Sequence, residues 1–158
     1  MKARIYTDTS VIGGCLEKEF KEPSVRLFEW FEQGRAIIVV SDLTLLELQN
    51  SPEEVQEILN KAPAGYREDI EMTDEAADLA EKYIREGVAG KAQKVDAQHI
   101  AIATLSRVDV LVSWNFRHIV NLTKIRGYNS VNMRYGLPSL EIRTPVEVIE
   151  YEEEKKGI

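Results

Sequence analysis

Short β-rich runs alternating with helical stretches predict an α/β fold for this chain, with three layers, α/β/α, around a mainly parallel central sheet of four to five strands. Two observations carry the prediction. Ala36-Ile37-Ile38-Val39-Val40 is short, continuous and largely β-branched, as in a strand buried on both faces, and Val108 to Val112 is a second, mostly apolar run of the same length. Longer segments with apolar residues at helical spacing lie between and around them.

In chain order, Ala3 to Thr7 reads as the first strand and delivers Asp8 where a buried strand would stop. A connection through Gly13 and Gly14 follows, polar up to Pro23. Val25, Leu27, Phe28, Trp30 and Phe31 then mark a helix that Gly34 ends. After the strand at 36–40, Ser41 or Asp42 can cap a helix carrying Leu43, Leu45, Leu46 and Leu48, with Glu47 among them. Helices are expected over about Pro52 to Lys61 and Thr73 to Arg85, the latter with Asp74 and Glu75 in its first turn. The loop from Gly87 to Lys94 leads to an Ala-rich helix, Val95 to Leu105. Asp96 lies at its start, and Ala97, Ala101 and Ala103 allow a close approach to the sheet. The strand Val108 to Val112 ends in Ser113-Trp114-Asn115, and a helix from Phe116 through Ile125 is expected next. Leu140 to Arg143 reads as a fourth strand and Thr144-Pro145 as the opening of a last helix. One domain over residues 1–150 is expected, with a charged end at 151–158 that frays.

Composition narrows the function classes. A chain of 158 residues, 44% hydrophobic and 30% charged, is large enough for one real core and has the make-up of a soluble globular protein. With Cys15 as the only cysteine, neither an internal disulfide nor a cysteine zinc site can form. The formal net charge of -7 excludes a protein that coats nucleic acid by bulk charge. No run approaches the roughly 18 apolar residues of a membrane helix, and Asp8, Thr9 and Ser10 interrupt any signal-like apolar block. The expectation is a cytoplasmic, soluble protein with no membrane partner.

Ligands of open parallel sheets sit beyond the carboxyl ends of the strands. Asp8 and Asn115 fall at such ends, and Glu47 and Asp96 lie on helices that can converge there. Hard oxygen donors of this kind suit Mg2+ or Mn2+, which can activate a water and neutralise charge on a phosphodiester. Phosphodiester hydrolysis is the reaction class that follows.

Four stations in order, IYTDTSVI around Asp8, SDLTLLEL around Glu47, VDAQHIAIAT around Asp96 and DVLVSWNFRH around Asn115, resemble those of PIN-domain proteins, the VapC-type toxins of toxin-antitoxin pairs. The resemblance implies a PIN-like fold and a metal-dependent endoribonuclease. Asp8, Glu47 and Asp96 would coordinate Mg2+ or Mn2+, one of them assisting deprotonation of the attacking water, with Asn115 at the fourth position. Thr9, Ser10 and Ser113 would be supporting hydroxyls. It also implies RNA as substrate, a homodimer and an antitoxin as protein partner. Two positions depart from the family pattern: Asn115 stands where Asp is common, and His118 where many toxins carry a further Asp. Both reduce the negative charge of the site, and His118 could instead touch phosphate or act as an acid.

Lys91, Lys94 and Arg117, and more distantly Lys124 and Arg126, are candidates for RNA contact, against the plainer reading of a solvated surface. His99 is expected to be packed or hydrogen-bonded, and Trp114 to be core or pocket wall. A second reading is a catalytically weak or silent PIN module that binds RNA or a protein partner. A phosphotransfer domain is disfavoured, because Ser10 stands where a second Asp would be needed and no adjacent acidic pair accompanies Asp8.

Overall fold

The computed structural model describes residues 1–157, and the side chains of residues 1–154. Five strands, β1 (Arg4–Thr7), β2 (Ile37–Ser41), β3 (Arg67–Ile70), β4 (Val110–Val112) and β5 (Ile142–Arg143), form one sheet in the order β3-β2-β1-β4-β5. Every pairing is parallel. The helices are α1 (Thr9–Gly14), α2 (Lys21–Glu32), α3 (Asp42–Gln49), α4 (Glu53–Asn60), α5 (Asp74–Arg85), α6 (Lys94–Leu105), α7 (Leu122–Arg134) and α8 (Pro145–Gly157). This is the three-layer α/β/α architecture expected. The end at 151–158, where fraying is expected, reaches beyond the described residues.

Alternation along the strands builds two cores, because successive side chains point to opposite faces. Tyr6, Val39, Leu111 and Ile142 face one layer, where α5, α6 and α7 pack. Ile5, Ile38, Val40 and Val112 face the other, with α1, α2, α4 and α8. The small residues of α6 serve as expected: Ala97, Ala101 and Ala103 are fully buried. Each Ile or Val sealed this way contributes about 1.5–3 kcal/mol of hydrophobic stabilisation.

The structure departs from the sequence reading in four places. The connection after Asp8 is helical at once: Asp8 caps α1 by accepting from the Val11 backbone N–H at 3.3 Å. α2 begins at Lys21 and runs through Pro23, which sits in the first turn where its missing N–H has no intrahelical partner to lose. The expected helix from Phe116 to Ile125 is not formed as such. Asn115 instead holds a turn, its Oδ1 accepting from His118 N at 2.9 Å and its backbone oxygen from Ile119 and Val120. Asn121 then caps α7, accepting from Lys124 N at 2.9 Å, and the helix continues to Arg134. β3 was not expected at all, since Arg67-Glu68-Asp69-Ile70 offers one apolar residue in four.

Gly14 is a point of close approach. A Cβ there would lie 2.8 Å from Ser24 Oγ and 2.9 Å from Trp114 Nε1, two atoms that hydrogen-bond each other at 2.9 Å. Replacing Gly14 by Ala is therefore expected to destabilise the fold by about 1–3 kcal/mol, read as a lowered urea midpoint with an unchanged slope.

Candidate active site

The sheet order reverses at β1, so the crevice between β1 and β4 is its topological switch point. Thr7 pairs with Val112, which brings Asp8 and Ser113 side by side at the carboxyl ends of the two strands. Asp8 is only 5% exposed. Its Oδ2 accepts from Ser113 Oγ at 2.6 Å, and its Oδ1 accepts from Ser10 Oγ at 2.6 Å. Each serine oxygen in turn accepts a backbone N–H, Asn115 to Ser113 at 3.0 Å and Trp114 to Ser10 at 2.9 Å. A hydroxyl has one proton, and here both are directed to the carboxylate. Burial raises the carboxyl of Asp8 above its usual range, partly offset by the two serines, His99 and the Val11 N–H.

Glu47 lies in the second turn of α3, which Ser41 caps from the end of β2. It is partly exposed and accepts from His99 Nε2 at 2.7 Å. Burial pushes its carboxyl up, yet the contact with His99, helped by the nearby Thr9 hydroxyl, outweighs it and holds Glu47 below its usual range. Thr9 Oγ1 itself is buried and makes no hydrogen bond of normal geometry.

Asp96 sits in the first turn of α6, one turn before His99 and on the same face. Burial raises its carboxyl, with the charge of Glu47 adding to the rise; His99, His118 and the Asn115 side chain act against it. Asp96 therefore lies within electrostatic reach of Glu47, His118 and Asn115. The Asn115 carbonyl is already engaged by His118 N, which leaves it one lone pair.

The basic candidates are more dispersed. Lys91 and Arg117 are exposed. Lys94 pairs with Glu81 at 3.3 Å, and Lys124 Nζ donates to the Val88 carbonyl. Trp114 is pocket wall, 8% exposed and stacked on Phe20 at a centroid distance of 4.4 Å. Phe116, beside it, is 52% exposed.

Sequence reading did not find Tyr6 and Ser41 as site residues. The Tyr6 hydroxyl lies 2.6 Å from His99 Nδ1 and 2.7 Å from Ser41 Oγ, which extends the Glu47–His99 contact into the interior. The only sequence signal was the spacing of Asp96 and His99, which puts them on one helix face.

Oxygen donors are the right chemistry for Mg2+ or Mn2+. Among the described residues, no three acids or histidines are grouped so as to enclose an ion. Mg2+ is usually bound through one or two carboxylates and keeps several waters. The donor set fits a site of that kind, with the unpartnered Thr9 hydroxyl beside Glu47 as a further oxygen.

No family model matches the sequence, and no curated protein matches it. Solved structures do. The chain is similar to VapBC2 from Rickettsia felis bound to a DNA fragment from their promoter, with a TM-score of 0.55 and 16% identity over 89% of this chain and 98% of that one. It is similar to FitAcB from Neisseria gonorrhoeae at TM-score 0.54 and 13% identity, over 89% and 97% of the two chains. A third is VapC20 from Mycobacterium tuberculosis, a sarcin-ricin loop cleaving toxin, at TM-score 0.51 and 14% identity over 72% and 92%. Likeness at such identities concerns the fold. The chain has the PIN-like fold of VapC-type structures, as its four sequence stations imply. Among the described residues, no helix is long and apolar enough to cross a membrane.

The raised carboxyl of Asp96 carries a stability consequence. A carboxyl whose folded pKa lies above its unfolded value favours the fold when protonated; that contribution is complete below about pH 3.8 and is lost as pH rises through the folded pKa. Glu47 behaves oppositely, stabilising above about pH 4.5 and losing that contribution as pH falls through its depressed folded pKa. Asp96→Asn is therefore expected to raise the Tm of the metal-free protein at neutral pH, and Glu47→Gln to lower it. Thermal denaturation of the two variants in chelator checks both signs.

Proposed function

We propose that this protein is a Mg2+- or Mn2+-dependent endoribonuclease and acts as the toxin of a toxin-antitoxin pair. The observation that carries the reading is the position of Asp8: a buried carboxylate at the switch point of a PIN-like sheet, with Glu47 and Asp96 on α3 and α6 beside the same crevice. One or more of these carboxylates would hold the ion, with Thr9 and Asn115 as neutral oxygens next to them. When bound, the ion supplies an activated water and neutralises charge on the phosphodiester.

This chain's own residues divide the remaining work. Ser10 and Ser113 hold Asp8 in one orientation. Asp96, half-buried with a raised pKa, is suited to take the proton of the attacking water. Arg117 and Lys91, both exposed, would meet the RNA backbone. The similarity to a toxin that cleaves the sarcin-ricin loop supports cleavage as the activity, and that to VapBC2 supports an antitoxin as partner. A homodimer working in the cytoplasm completes the reading.

The second reading, a catalytically silent module that binds RNA or a protein partner, draws on Asn115, which brings no charge and has its oxygen engaged by His118 N. Incubation of the purified protein with single-stranded and structured RNA in Mn2+, Mg2+ or chelator separates the two. Cleavage is expected with either metal and absent in chelator, and Asp96→Asn is expected to lower the rate by roughly 10²–10⁴-fold. Cleavage that persists in chelator and in both Asp8→Asn and Asp96→Asn would overturn the metal mechanism; Mn2+ binding without any cleavage would favour the silent module.

A further inference from the structure

His99 is 3% exposed, and both its ring nitrogens are engaged. Nε2 lies 2.7 Å from Glu47 Oε1, and Nδ1 lies 2.6 Å from the Tyr6 hydroxyl. The Tyr6 oxygen lies 2.7 Å from Ser41 Oγ, and that oxygen accepts from Thr44 N at 3.4 Å. A proton count orders the chain. Ionised Glu47 can only accept, so Nε2 donates to it. Nδ1 of a singly protonated ring must then accept, and among the described residues Tyr6 is the donor at that nitrogen. Tyr6 spends its one proton there, and its oxygen accepts from Ser41, whose own oxygen is free to take the Thr44 N–H. Every member is satisfied with one direction of donation, from Ser41 through Tyr6 and His99 to Glu47.

The direction matters because Glu47 is the least enclosed of the three acids, with a side chain 42% exposed on α3. A long carboxylate side chain in that setting samples several rotamers, and fixing one has an entropic cost. His99 removes that freedom from within the core: its ring packs edge-on to Tyr6 at a centroid distance of 5.7 Å and an interplanar angle of 68°, so the imidazole cannot turn without breaking two hydrogen bonds and a buried packing contact.

We propose that His99 is a positioning residue, held as its Nε2–H tautomer by the Tyr6 hydroxyl, that fixes the Glu47 carboxylate for metal binding. The inference rests on the reading of Glu47 as a metal ligand. Nothing in it requires His99 to touch metal or substrate. Groups that orient a metal ligand from behind are commonly worth 10- to 100-fold in metal affinity.

Two measurements on the full-length protein test it. The first is ¹⁵N–¹H NMR of histidine-labelled, metal-free wild type at about pH 8, above the ordinary histidine titration. The expected signature is a protonated Nε2 and a bare Nδ1, with an Nε2–H resonance that moves in Glu47→Gln. A protonated Nδ1 would overturn the proposal without any variant. The second is Mn2+ affinity by EPR, with Mn2+ alone as the probe and thermal melts to verify folding. His99→Ala is expected to weaken binding roughly 10- to 100-fold, His99→Gln to recover part of the loss through its amide N–H, and Tyr6→Phe to fall between wild type and His99→Ala. If Glu47→Gln weakens Mn2+ binding while folded His99→Gln and Tyr6→Phe both match wild type, the positioning role is wrong. If Glu47→Gln leaves affinity unchanged, the metal reading of Glu47 fails instead, and the tautomer and the response of its resonance still decide whether His99 holds that carboxylate.

Discussion

A carboxylate sealed at the seam of two strands has to be satisfied by hydrogen bonds or lose several kcal/mol of folding free energy. Asp8 is in that position: Ser113, 105 positions away, supplies one proton, while Ser10, two positions on, supplies a second from the adjoining helix. The requirement fixes the register of β1 on β4. A slip of one residue would set Asp8 against Val112 or Trp114 and leave its buried Oδ2 without the Ser113 proton. The Ser113–Asp8 hydrogen bond therefore ties the corner of the candidate site to the pairing of β1 with β4.

Around this corner the three acids are held unequally. Asp8 and Asp96 are both pushed toward their neutral forms by burial, whereas Glu47 is kept ionised by His99. The metal-free cleft thus contains one acid stabilised as an anion and two that are strained as anions. Under the function proposed for Asp96, stability and activity would pull in opposite directions there, a pattern expected where a site holds charge that the fold alone would discard.

Much of the architecture was legible because its strands and helices carry their own hydrophobic periods. Ile37 to Val40 and the alanines of α6 announce their burial in sequence. What escaped was set by polar side chains acting locally. Phe116 to Ile125 has apolar residues at helical spacing, but the Asn115 side chain captures His118 N and delays the helix until Asn121 can cap it. Near the crevice, the packed, hydrogen-bonded character of His99 was readable. The link from His99 to Tyr6 and Glu47 spans 93 and 52 positions and leaves no mark on either local stretch.

β3 hid from sequence reading for a reason that also bears on how the molecule behaves in a crowd. It is an outer strand, with β2 on one side only, and three of its four residues are charged. Arg67 and Asp69 form a two-point ion pair along the strand, and Glu68 takes the guanidinium of Arg4 in another. A foreign strand adding to this edge would have to lie against these charges, and an outer strand so furnished makes a poor template for aggregation. The flank of the sheet that is least apolar is thus the one least open to a strand from another copy.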